Sequence, residues 1–158
     1  MGLLRKLSHK LKRLFSLQFK EYPVLIEAWL MLAWVDFVIR FFPYERWRHW
    51  LESDEKSASV QQKELDMTSL IRISEMVARH HVCPMNCLRR TLAQKKMLSK
   101  RGFSASVHIG VKKGESGLEA HSWLSFGGRV LNDSPDVTER YTELERDQWC
   151  NAKLFSSI

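Results

Sequence analysis

The hydrophobic pattern changes period at Gly102, and this change limits the chain to a narrow set of folds. Before it, apolar residues recur at helical spacing: Leu70, Ile73 and Val77 share one face, and Leu88, Leu92 and Ala93 share another. After it, alternation of two takes over in three short segments, 104–111, 118–126 and 129–132, with Gly127 and Gly128 turning the last pair into a hairpin. Two helices followed by three strands predict an α+β fold with an antiparallel sheet. The first helix runs from Asp66 to Arg79 or His80. Pro84 makes 81–86 a turn, and a second helix opens at Cys87 behind Asn86, a good N-cap residue. Gly102 ends that helix.

The N-terminal third reads differently. Leu3, Leu7, Leu11, Leu14 and Phe15 mark an amphipathic helix over residues 3–17. Such a helix lies on a membrane surface, docks on a partner or packs on its own chain. Residues 24–42 are almost continuously apolar, yet Glu27, Asp36 and Arg40 interrupt them. An Asp near a bilayer centre costs about 2.5–3.5 kcal/mol, so a helix covered by protein fits better than a membrane span. Asp36 and Arg40 have the i, i+4 spacing of a helix-surface ion pair. Pro43 ends the helix, and a short aromatic helix over 44–51 follows. Residues 52–66 are polar and Ser-rich, as in a linker. The chain thus divides into a basic, aromatic helical arm (1–51), a polar linker (52–66) and a folded domain (67–158).

The net charge of +7 is unevenly placed. Residues 1–20 carry Arg5, Lys6, Lys10, Lys12, Arg13 and Lys20 without an acid, and 87–113 are also acid-free. Basic clusters attract nucleic acid, anionic lipid or acidic peptide. No nucleic-acid-binding motif accompanies this charge, so nucleic acid is not expected as a partner. Residues 1–20 instead offer a peripheral membrane contact. Hydrophobic content of 44% excludes a disordered or collagen-like chain. Three cysteines, at 83, 87 and 150, suit a reducing cytoplasm better than a secreted disulfide framework. The leucines of the N-terminus are broken by lysines, and no signal-peptide cleavage pattern follows.

Cys87 opens a helix, where unpaired N–H groups and the positive dipole end favour a thiolate. Arg89 and Arg90 stand close by as further positive charge. A thiolate nucleophile needs an imidazole to take and return its proton, and the imidazole needs a carboxylate to fix its tautomer. His121 in the second strand and Asp133 beyond the third supply these types. Taken singly, each has an ordinary structural explanation: a buried thiol, a strand histidine, a turn aspartate. A two-residue turn at Gly127-Gly128 would set His121 opposite residue 134 and point Asp133 to the other face. A three-residue or bulged loop sets His121 opposite Asp133, and that is the loop expected. Trp123 shares the face of His121, either as a substrate-pocket wall or as a core tryptophan. A zinc site at Cys83, Cys87, His80 and His81 is weighed and set aside, because C-x-x-x-C spacing and Pro84 suit no common zinc knuckle. Cys150, beside Trp149, is read as a buried or incidental thiol. Neither metal nor cofactor is expected.

The runs NCLRRTLA from Asn86, KRGFSA from Lys100, VHIGV from Val107, EAHSW from Glu119, GRVLND from Gly128 and YTEL from Tyr141 resemble a known family. It is the transglutaminase-like cysteine proteases that remove leader peptides in lasso peptide biosynthesis, the microcin-processing family. The resemblance covers residues 84–144 and places the family's Cys, His and Asp on Cys87, His121 and Asp133. Glu143 departs from it, standing where the family usually has Pro. The resemblance implies a papain/transglutaminase-like core and a thioester acyl-enzyme mechanism. It also implies a lasso precursor peptide as substrate, a separate winged-helix leader-binding protein and an asparagine-synthetase-like cyclase as partners. The arm reads helical, without a winged-helix pattern, and so resembles the split form of these proteases. The triad chemistry alone leaves a non-catalytic precursor scaffold and an acyltransferase open.

Overall fold

A computed structural model of the chain describes residues 21–51, 64–115 and 117–145. The amphipathic helix expected at 3–17, most of the linker and Cys150 lie outside them. Helix α1 (Tyr22–Phe41) carries Pro23 in its first turn, where a missing N–H costs nothing. It ends at Phe42, which Pro43 holds extended. A single turn of helix, α2 (Tyr44–Trp47), then tightens into a 3-10 turn over Arg48–Trp50, so the aromatic helix expected at 44–51 is split in two. Helices α3 (Glu64–Ala78) and α4 (Cys87–Ser99) follow. The Asn86 side chain accepts the Arg89 N–H at 2.9 Å and caps α4, while Gly102 turns the chain out of it at φ +79°.

The strands are β1 (Ser106–Gly114), β2 (Gly117–Phe126), β3 (Arg129–Val130) and β4 (Thr142–Glu143), with a one-turn helix α5 (Val137–Arg140) before the last. All pairings are antiparallel and the order is β3-β2-β1-β4. The architecture is α+β. The long β1–β2 hairpin runs from Gly114 opposite Gly117 to Ser106 opposite Ser125. β4 has no counterpart in the expected strands: two polar residues are too short to show an alternation.

One core joins the three long helices to the inner face of the sheet. Leu32 and Val35 of α1, Ile73 of α3, Leu92, Met97 and Leu98 of α4, and Leu124 of β2 are among its fully buried members. Leu92→Ala removes a side chain from the middle of this cluster. It is expected to cost about 2–5 kcal/mol, read as a lowered urea midpoint with unchanged slope.

Asp36 does pair with Arg40, as the i, i+4 spacing predicts, but it is not a surface residue. It faces inward at 6% exposure, and its shorter contact is Arg89 of α4, Nε to Oδ1 at 2.7 Å. Arg40 stands farther off at 3.5 Å. A carboxylate taken this far from water needs such a partner. The opposite face of α1 stays exposed, Ile26, Leu30, Trp34, Phe37 and Phe41 among its residues. No described helix is long and apolar enough to cross a membrane.

Candidate active site

Cys87 is the first residue of α4, and the site forms where that helix start meets an open stretch of the β2 edge. The stretch is open because β3 is so short. Gly127 and Gly128 both take positive φ, +57° and +79°, and make a two-residue turn that sets Phe126 opposite Arg129. The three-residue loop expected from the position of Asp133 is therefore wrong. The side-chain alternation behind that expectation holds only while a strand continues. After Val130 the chain bends away, with one further backbone bond from Leu131 N–H to Leu124 O at 2.9 Å. Asp133 lies on the bend and reaches His121 although the turn is short.

Side chains complete the edge that β3 abandons. Asn132 Oδ1 accepts the Leu124 N–H at 2.8 Å, and Thr91 Oγ donates to Ser122 O at 3.2 Å. The backbone and hydroxyl of Ser122 hydrogen-bond Cys87. Behind them runs a polar network. Asn132 donates to Gln94 Oε1 at 2.8 Å, and Gln94 donates to Ser74 Oγ at 3.1 Å and to Glu75 Oε1 at 2.7 Å. A partnered polar network of this kind, with Gln94 and Ser74 fully buried in it, fixes a unique packing. Here it locks α3, α4 and β2 together directly behind the thiol.

The His121 Nε2 lies 2.5 Å from Asp133 Oδ2, which leaves Nδ1 as the nitrogen able to meet Cys87. Burial pushes the Cys87 thiol up, but hydrogen bonds from His121 and Ser122 outweigh it and bring the thiol down to about 7. The hydrogen bond with Cys87 raises the His121 imidazole against its burial, and Asp133 adds to the rise. Burial raises the Asp133 carboxyl, yet the bonds from His121 and the Ser134 backbone hold it below the ordinary range. All three directions favour a thiolate–imidazolium pair backed by a carboxylate. Cys87 is thus expected to be alkylated with a pH midpoint near 7. Thiolate, and with it reactivity, is present above that pH and lost below it; a midpoint near that of an ordinary thiol would contradict the pairing.

The positive charge expected from Arg89 and Arg90 does not supply this effect. Arg89 pairs with Asp36, and Arg90 Nη1 reaches Glu75 Oε2 at 2.8 Å, so both cations are neutralised within the fold. The activating groups are His121 and Ser122.

Two aromatic rings stack on the imidazole. Tyr141 stacks on His121 with ring centroids 5.0 Å apart, and Trp123 lies at 6.3 Å, near parallel. Trp123 is only 1% exposed and has His108 stacked on it at 5.6 Å. Gly110 makes this possible, because a Cβ there would sit 2.9 Å from both the Trp123 ring and the Tyr141 Cβ. Gly110→Ala should therefore displace the stack and cost about 1–3 kcal/mol, seen as a lowered Tm together with slower Cys87 alkylation. His108 also bridges β2 and β4, with Nε2 2.7 Å from Ser125 Oγ and Nδ1 2.5 Å from Glu143 Oε1.

Sequence reasoning did not reach Ser122, Thr91, Gln94, Arg140 or Tyr141 as parts of the site. Thr91, Ser122 and Tyr141, like Asn132, stood in runs singled out for other reasons, whereas Gln94 and Arg140 stood in none. Cys83 is a free thiol whose backbone N–H donates to His81 Nδ1 at 3.2 Å. Among the described residues no group of three or more His, Cys, Asp or Glu is arranged to hold a metal.

A cysteine at a helix start facing a histidine and an aspartate on an antiparallel sheet is the arrangement of a papain- or transglutaminase-type fold. The chain belongs to the transglutaminase-like superfamily, which it matches over residues 31–146. Over 55 residues it is 34% identical to the microcin J25-processing protein McjB of Escherichia coli. That stretch is 35% of this chain and 26% of the Escherichia coli protein. No solved structure matches the chain.

Proposed function

We propose that this chain is a cysteine peptidase that removes the leader from a ribosomally made lasso precursor peptide, with Cys87 as nucleophile, His121 as general base and acid, and Asp133 as the group orienting His121. The observation that carries the reading is the continuous contact from the Cys87 thiol through His121 to Asp133, with the thiol brought to about 7. The superfamily and the likeness to a protein named for processing a microcin support a peptide as substrate.

The Cys87 thiolate attacks the carbonyl carbon of the scissile bond. The oxyanion that forms faces the N–H groups at the start of α4, where the helix dipole is positive. His121 passes its proton to the departing amine, which leaves on the core peptide. A water then gives a proton to His121 and attacks the thioester, which releases the leader as a free acid and restores the pair. Trp123, 1% exposed, is the buried tryptophan rather than a substrate-pocket wall, and it supports the His121 ring from within the fold. The catalytic unit is residues 67–158 together with α1, whose Leu32, Val35 and Asp36 pack into the same core. The exposed face of the arm makes the partner contacts, with residues 1–20 offering a peripheral contact to a cytoplasmic membrane surface. A separate winged-helix protein presents the leader, and an asparagine-synthetase-like cyclase uses the amine that cleavage frees.

Purified chain, the leader-binding protein and the precursor, followed by mass spectrometry, test this directly. Loss of the leader mass is the expected result. An unchanged precursor with active partners would make the chain a scaffold, and a precursor joined to an added amine would make it an acyltransferase.

A further inference from the structure

Asp133 is anchored by more than His121. Its Oδ2 meets His121, while Oδ1 accepts the Ser134 backbone N–H at 2.7 Å and lies 3.2 Å from an Arg140 Nη2. That same Nη2 donates to Ser134 Oγ at 2.8 Å, and Arg140 Nε pairs with Asp136 Oδ2 at 2.9 Å. The guanidinium is therefore held from two directions in its own plane. Arg140 closes the one-turn helix α5, fastened by its N–H to Asp136 O at 3.1 Å. The next residue, Tyr141, is the ring that lies over His121.

This anchoring matters because no ladder holds Asp133. β3 ends three residues earlier, and a carboxylate on an exposed bend can rotate about both side-chain torsions. A catalytic carboxylate must present one oxygen to the imidazole and keep it there. We propose that Arg140 is a positioning residue: by holding Asp133 Oδ1 it fixes Oδ2 on His121 Nε2, and through its backbone it keeps Tyr141 on the imidazole face. The inference rests on the proposed triad. The role is geometric, because the Arg140 side chain is 43% exposed and its charge is screened. Lysine cannot replace it fully, since a point-like ammonium lacks the planar fork that meets Asp136 and Asp133 together.

Alkylation of Cys87 by iodoacetamide between pH 5 and 10 tests the role without any peptide substrate. The full chain is used, with modification at Cys87 resolved from the other thiols by peptide mass. Arg140→Met is expected to move the alkylation midpoint upward by about 0.5–1 pH, which slows the reaction at pH 6 about threefold to tenfold. Arg140→Lys should recover only part of that loss. In an Asp133→Asn chain the further change Arg140→Met should add nothing, because the two act through one bond. If Arg140→Met fails to fold by circular dichroism, Arg140→Gln, which keeps a planar donor, carries the same comparison. An unchanged profile in a folded Arg140 variant, or an effect that adds to that of Asp133→Asn, overturns the role. Precursor cleavage is scored separately. A shifted profile in a chain that never cleaves precursor would sink the peptidase reading and leave Arg140 in place; normal cleavage with an unchanged profile would do the reverse.

Discussion

Cys87→Ala is expected to abolish leader removal while the chain still folds and still binds its precursor. The loss should be on the order of 10⁵–10⁶-fold in turnover, because without a sulfur no thioester forms and His121 has no nucleophile to activate. Stability should change little. The thiol is only partly buried, and the cap from Asn86 to Arg89 that starts α4 does not involve it. Single-turnover cleavage with a labelled precursor measures the first effect, and a urea titration measures the second. Retained cleavage, even at a hundredth of the normal rate, would place the nucleophile elsewhere. Cys83, four residues earlier, would then be the thiol to examine.

Asp133→Asn is the second large effect, about 10³–10⁴-fold in turnover. The amide is nearly the same size, so the bend after β3 and the bond from Ser134 survive. What is lost is the negative charge on His121 Nε2, and with it both the fixed tautomer and part of the rise in the imidazole. The pH profile separates the roles. Asp133 is held below the ordinary carboxylate range, so it stays ionised well below neutrality and does not set the acid limb. Cys87 sets it, near pH 7, with activity present above and lost below. The alkaline limb follows the loss of the His121 proton, at a pH above that of a free imidazole. In Asp133→Asn the alkaline limb should move down as well as the rate falling. A loss of less than tenfold with both limbs unmoved would make Asp133 a turn residue after all.

Much of the frame was readable from residues alone. Asn86 and Gly102 bracket α4 because a capping side chain and a positive-φ glycine are local requirements, and local chemistry is written in the sequence. The switch from helical to alternating spacing marked β1 and β2 for the same reason. The hairpin misled. Two glycines at positive φ favour the tight turn, and the bend that frees Asp133 depends on where β3 stops, which tertiary contacts decide. The side chains that replace β3 along the β2 edge were equally hidden. Thr91 and Gln94 sit on the inner face of α4 among apolar residues, so their polarity looked like noise in a hydrophobic pattern. Arg89 and Arg90 show the opposite error: charges near Cys87 in sequence belong to Asp36 and Glu75 in space. Family resemblance, not spacing, joined Cys87, His121 and Asp133 into one set before the coordinates brought them together.

The proposed reaction requires that Cys87 become acylated by the leader. Chain, leader-binding partner and precursor, mixed for a fraction of a turnover and quenched in acid, should yield a protein heavier by the leader mass less one water. Fragmentation should place that mass on Cys87, and hydroxylamine should remove it. Precursor cleavage without any hydroxylamine-sensitive adduct on Cys87, or with the adduct on another residue, would contradict the account.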